Sequence, residues 1–166
     1  MAQIVMRVVS GRFRGTRLDA VSGDKTRPTT DKVKEAMFSM LTPYLNGGEV
    51  LDLYAGTGGL SIEAVSRGMA HATLVDRQFQ AIKVIQNNIE KTHDIAAFTV
   101  IKSPAKQALE KFALARQQFD LVFLDPPYAK ETLRGDMRYM AENQLLAPQA
   151  IILVESDDDA NLPQED

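Results

Sequence analysis

Cysteine is absent from this 166-residue chain, and histidine occurs only at His71 and His93. The first absence excludes a disulfide framework and thiolate chemistry, and it fits the cytoplasm. The second leaves too few ligands for a structural zinc site, so no metal is expected. No apolar run approaches the roughly 20 residues needed to cross a bilayer, so no membrane partner is expected. The opening segment Met1-Ala2-Gln3-Ile4-Val5-Met6-Arg7 lacks the charged-then-apolar order of a signal peptide. Repeats and low-complexity segments are also missing.

What is present describes a folded domain with one core: 45% of the residues are apolar and 25% charged. The net charge of −3 conceals an asymmetry. Residues 1–34 hold eight Lys and Arg against three Asp, which leaves the remainder at −8. Arg12, Arg14 and Arg17 flank Gly11 and Gly15 in a turn-like segment, and Arg27 follows. Such a basic end is either a solvated surface or a patch for a polyanion such as nucleic acid.

Residues 4–9 read as a strand, Gly11 to Gly15 as a turn, and Thr16-Arg17-Leu18 as the return of a hairpin. Pro28-Thr29-Thr30-Asp31 offers N-cap candidates for a helix with an apolar face of Val33, Met37, Met40 and Leu41, closed by Pro43. From residue 50 the pattern alternates. Strands are predicted at 50–54, 72–76, 97–101, 119–124 and 150–154, with helices at 59–67, 78–91, 104–115 and 131–143. Alternation of this kind predicts an α/β fold with a doubly wound, mostly parallel sheet. The acidic end, 156–166, is predicted to be disordered.

Two strand ends carry unusual loops. In Asp52-Leu53-Tyr54-Ala55-Gly56-Thr57-Gly58-Gly59-Leu60, an acidic strand end runs into a glycine-rich turn and a helix start, where a nucleotide-like cofactor sits in open sheets. The alternative is a tight strand-to-helix turn with no ligand. A serine stands where a dinucleotide fingerprint wants its third glycine, so nicotinamide binding fits only in part. Asp76, at the end of the next strand, either accepts the hydroxyls of a ribose or caps the helix that starts at Gln78. Asp125-Pro126-Pro127-Tyr128 is more specific. Its prolines fix two φ angles, hold the Pro126 carbonyl outward and set it beside the Asp125 carboxylate. Two acceptors and a flat ring match an exocyclic amine on a nucleobase; otherwise the segment is a proline turn with a packing tyrosine.

These motifs resemble those of class I S-adenosylmethionine-dependent methyltransferases, and the Asp-Pro-Pro-Tyr form resembles those acting on amino groups. Arg7-Val8-Val9-Ser10-Gly11-Arg12-Phe13-Arg14-Gly15, the stretch Arg27 to Phe38, and Val154-Glu155-Ser156 narrow the resemblance to the bacterial RsmD family of 16S ribosomal RNA guanine-N2 methyltransferases. It runs from about residue 6 to 163. The resemblance implies a Rossmann-like methyltransferase domain over 1–166, with a basic hairpin extension at 1–28, a catalytic core at 29–155 and the acidic tail. It implies S-adenosyl-L-methionine as cofactor, held by Asp52, Tyr54, Ala55, Gly56, Thr57, Gly58, Asp76, Arg77, Ser103 and Ala105. Asp125, Pro126 and Tyr128 become the catalytic set, and Arg12, Arg14, Arg17 and Arg27 the RNA contacts. The partner implied is 16S rRNA or the assembling small subunit; the oligomeric state is left open. The tetrapeptide alone also admits an adenine-N6 DNA methyltransferase, and the fold alone a nucleic-acid-binding module without turnover.

Two departures stand out. The family places Asp or Asn near position 104 to meet the adenine amine, whereas this chain has Ser103-Pro104-Ala105, which shifts that task to Ser103 or the backbone at Ala105. The family also continues into two further strands, so the C-terminal sheet strands are expected to be missing here.

Overall fold

The computed structural model describes residues 6–21, 31–126 and 130–154, with Lys130 by its backbone alone. The expectations for residues 4–5, Arg27, Pro28 to Thr30, Pro127, Tyr128, Glu155, Ser156 and the tail lie outside the described residues.

A short hairpin comes first, β1 (Met6–Arg7) against β2 (Arg17–Leu18). Helix α1 (Asp31–Leu41) follows, closed by a 3-10 turn that contains Pro43. The core then alternates β3 (Glu49–Asp52), α2 (Gly59–Ser66), β4 (His71–Asp76), α3 (Phe79–Glu90), β5 (Phe98–Lys102), α4 (Ala105–Leu114), β6 (Phe119–Leu124), α5 (Lys130–Glu142) and β7 (Leu146–Val154). The five core strands lie in the order β5-β4-β3-β6-β7, and all four pairings are parallel.

Parallel strands are covered on both sides, so neighbouring residues of one strand enter different cores. Val50, Leu74, Leu121 and Phe123 pack with Phe38 of α1, Ile62 of α2 and Ile85 of α3. Leu51, Val75, Val122 and Leu124 pack on the opposite face with Leu109 and Phe112 of α4 and Met140 of α5. The alternation breaks once. Between Phe119 and Leu121 the β6–β7 register jumps, from Phe119 opposite Leu146 to Leu121 opposite Ile151. The extra residues on β7 include Pro148, which has no N–H for the ladder, and Gln149 at φ +65°. Phe119 accordingly joins the second core, edge-on to Phe112 at 5.2 Å between ring centres.

The hairpin is too small to stand alone. Its Met6, Val8, Phe13 and Leu18 are buried in the first core, and Phe13 lies 6.3 Å from the Phe98 ring. A polar lock adds to this. Glu63 of α2, with no solvent exposure, accepts the backbone N–H groups of Val9 and Ser10 at 3.0 and 3.1 Å. It also pairs with Lys34 of α1 at 3.5 Å and with Arg67 at 2.7 Å. Lys34 donates to the Arg7 carbonyl at 2.6 Å.

This lock corrects the expected apolar face of α1. Val33 and Met40 are 47% and 67% exposed, while the buried positions are Lys34, Phe38 and Leu41. The helix is rotated because the Lys34 ammonium has a buried carboxylate to meet, a partner that no reading of α1 by hydropathy could supply. Burial pulls the Lys34 ammonium below its ordinary value, and the charge on Glu63 opposes that shift.

Glu63→Ala leaves Lys34 buried without its counter-charge and two backbone donors without an acceptor. The expected loss of stability is about 3–5 kcal/mol, read from the urea midpoint. A loss below about 1 kcal/mol, the scale of an exposed pair, would mean that the lock is not structural.

Candidate active site

Strand order puts the site where the topology reverses. The chain winds from β3 outward to β4 and β5, then returns to the other side of β3 with β6. In open sheets the crevice at that reversal is the place for ligands. Asp52 lies opposite Leu74 on one side and Phe123 on the other. The loops after β3 and β6 therefore leave the sheet side by side, which sets Asp125 and Pro126 next to the start of the glycine loop.

The glycine loop is held from two sides. Asp76, at the end of β4, accepts the Gly56 N–H at 2.9 Å through one carboxylate oxygen. Its other oxygen accepts the Gln78 N–H at 3.0 Å. Gln78 is the N-cap of α3 and makes no side-chain cap bond, so the Asp76 bond to its N–H closes a tight turn before the helix, while the same side chain braces the loop. Asn88 of α3, fully buried, donates to the Thr57 carbonyl at 2.9 Å and to the Asp19 carbonyl at 3.1 Å. Asn88 also accepts the Asp19 N–H at 2.7 Å, so one amide joins hairpin, helix and loop. Lys91, hydrogen-bonded to Asp19, pulls that carboxyl below its ordinary value.

The two glycines have different tasks. Gly56 has φ +59°, and a Cβ there would meet nothing within 4 Å, so its backbone faces open space that a ligand can approach. Gly58 has φ +83°, and a Cβ would come within 3.1 Å of Leu74, so here the missing side chain lets helix and strand close together. Ala55 donates its N–H to the Val75 carbonyl at 2.9 Å, and the Thr57 hydroxyl accepts the Gly59 N–H at 3.2 Å. Asp52 is buried and accepts the Ser61 hydroxyl at 3.0 Å.

Asp125 is exposed just past the end of β6, and Pro126 beside it is half-buried. Ser103 donates its N–H to the Asp76 carbonyl at 3.0 Å, which sets the end of β5 against the end of β4. The Ser103 hydroxyl turns to the Pro104 carbonyl at 2.8 Å. Ser103 thus lies beside Asp76, whose chain neighbour is Arg77. Among the basic residues, Arg14 and Arg17 are exposed on the hairpin. Arg12 is paired with Asp94 at 2.7 Å and lies over the Phe13 ring.

A cavity of about 430 Å³ opens between α4, α5 and these strand ends. Tyr54, Arg77, Pro104, Ala105 and Asp136 are among its walls. Tyr54 donates its hydroxyl to Asp136 of α5 at 2.5 Å. This pair, like Glu63 and Asn88, escaped sequence reasoning. A polar residue inside a helical pattern reads as solvent-facing until its partner elsewhere in the chain is known.

The solved structure of a candidate methyltransferase, yhhF of Escherichia coli, matches this one with a TM-score of 0.81 at 32% identity, covering 96% of this chain and 85% of that one. The fold and its crevice are those of a class I methyltransferase. Residues 6–166 match the family described as conserved hypothetical protein 95. Ribosomal RNA small subunit methyltransferase D of Escherichia coli K12 is 33% identical over 158 residues, covering 95% of this chain and 78% of its own. YlbH of Bacillus subtilis, named as a candidate rRNA methyltransferase, is 43% identical over 159 residues, covering 96% and 86%. The chain belongs to this family, the RsmD family.

Asp136 generates a pH prediction. Burial raises its carboxyl above the ordinary 3.8, with the Tyr54 hydrogen bond opposing. The folded chain therefore holds this proton more tightly than the unfolded chain. The resulting cost to folding is absent below 3.8 and grows as pH rises through the folded value. Relative to the native chain, Asp136→Asn should gain stability with rising pH, measured as the difference in urea midpoints. A difference that stays flat with pH would refute the burial account.

Proposed function

We propose that this chain transfers a methyl group from S-adenosylmethionine to the exocyclic N2 amine of a guanine in 16S rRNA of the small ribosomal subunit. The observation that carries the reading is the placement of Asp125 and Pro126 beside the glycine loop, at the reversal of the sheet. The relatives' naming as small-subunit rRNA methyltransferases supports the substrate class.

The chain's own groups fit the methyl donor. The open backbone at Gly56 leaves room for its amino-acid end, near the buried Asp52. Asp76 has lone pairs left after its two backbone bonds and accepts the ribose hydroxyls. Tyr54, Ala55, Thr57, Gly58, Arg77, Ser103 and Ala105 complete that surface. When bound, the donor supplies an electrophilic methyl group on a sulfonium.

The guanine amine is a weak nucleophile because its lone pair is delocalised into the ring. The Asp125 carboxylate and the Pro126 carbonyl accept its two N–H groups and turn the lone pair toward the methyl group. This is catalysis by orientation and electrostatics, with no covalent enzyme intermediate. The base must leave its stack to reach such a crevice, and Tyr128 is assigned to stack on it there. Arg14 and Arg17, with Arg12 and Arg27, meet phosphates of the structured RNA.

Two substitutions separate the roles. Asp125→Ala should lower methyl transfer to small-subunit RNA by about 100-fold or more while leaving S-adenosylhomocysteine affinity within about threefold. Asp76→Ala should weaken that affinity by about tenfold or more. Unchanged turnover in the first variant refutes the amine-orienting role; unchanged affinity in the second reduces Asp76 to a brace.

The RNA surface has its own test. Replacing Arg14 and Arg17 together by Ala should reduce the slope of log affinity against log salt by about 1.4 to 1.8, because two phosphates would no longer be neutralised. An unaltered slope would place the RNA on another face.

A further inference from the structure

We propose that Asp136 is the residue by which this chain selects adenine in its methyl donor; the inference rests on the reading of Asp76 as the ribose acceptor. A nucleoside whose ribose hydroxyls lie on Asp76 must direct its base away from that carboxylate. The neighbouring strand end is that of β5, where Asp76 is opposite Lys102 and the Ser103 N–H bonds the Asp76 carbonyl. Among the described residues that strand end offers one side-chain acceptor, the neutral Ser103 hydroxyl, whose proton goes to the Pro104 carbonyl; Pro104 and Ala105 carry no polar side-chain atom.

The cavity described above opens at this point, and Pro104, Ala105 and Leu109 give it an apolar wall suited to the face of a purine. Asp136 is the one carboxylate among the described residues that line it. The residue is 9% exposed and its side chain is held in place: Oδ2 accepts the Tyr54 hydroxyl. Its Oδ1 takes no hydrogen bond from the described residues, and no fully buried side-chain oxygen there lacks a partner, so Oδ1 is open to the cavity. Arg77 and Lys106 also line the cavity, but a fixed, half-satisfied carboxylate beside its apolar wall accepts from a 6-amino group and repels a 6-oxo group. Tyr54 is then a positioning residue, aiming Asp136 from the glycine loop.

The test measures binding of S-adenosylhomocysteine and of its 6-oxo analogue, S-inosylhomocysteine, by calorimetry. The native chain should prefer the adenosyl compound by about 10- to 100-fold, the scale of one hydrogen bond to a charged group. Asp136→Asn can present either end of its amide, and should bring the two affinities within about threefold. A ratio within one protein is insensitive to a general loss of stability. Equal binding of both compounds by the native chain overturns the proposal without recourse to any variant, as does a preference that survives in Asp136→Asn. If the native chain binds neither compound, the methyl-donor reading falls and takes this one with it. If it binds the adenosyl compound and only the Asp136 result fails, the methyl-donor reading stands alone.

Discussion

One buried carboxylate holds the N-terminal part of this molecule to the rest. Glu63 has no contact with solvent, yet it accepts two backbone N–H groups of the hairpin and faces two cations, Lys34 and Arg67. Arg67 in turn reaches Glu35 and lies over the Phe38 ring. Charges taken out of water are tolerated only when paired and fully hydrogen-bonded, and this cluster meets that condition. Its yield is geometric more than energetic. The residue belongs to α2, the helix that starts at the end of the glycine loop. The basic hairpin and the glycine loop are therefore attached to the same short rigid element.

Asn88 makes the second connection of the same kind. By joining Asp19 to Thr57 it ties the chain just after the hairpin directly to the glycine loop. Asp76 braces that loop from the opposite side. Phosphates bound at Arg14 and Arg17 would thus sit at a set distance from the crevice. A base presented by structured RNA needs such a ruler more than it needs flexible arms, because shape is what the RNA offers for recognition.

The sheet was legible in the residues because its strands are short apolar runs, three of them closed by an Asp at or just past the strand end. Predicted and observed cores agree within a few residues for 72–76, 98–101 and 119–124. The strand predicted at 150–154 begins earlier, at Leu146, because its first half is bulged and interrupted by Pro148. The glycine loop, Asp76 and Asp125 could be read because each stands at a strand end, a position set by local pattern. Lys34, Glu63, Asn88 and the Tyr54–Asp136 pair could not. Each owes its place to a partner far along the chain, and a lysine in a helix reads as a solvent residue unless its buried counter-charge is already known. The buried face of α1 departs from its hydropathy pattern for that reason.

The position of β3 has a further consequence for how the protein comes into being. The strand that carries the glycine loop lies in the middle of the sheet, but its partner β6 is made much later during translation, after α2, β4, α3, β5 and α4. A nascent chain emerging as far as α4 exposes one bare edge of β3, with unpaired amides and carbonyls around Val50 and Leu51. Until β6 docks there, that edge is open to wrong partners, and the side of the crevice that Asp125 forms does not yet exist.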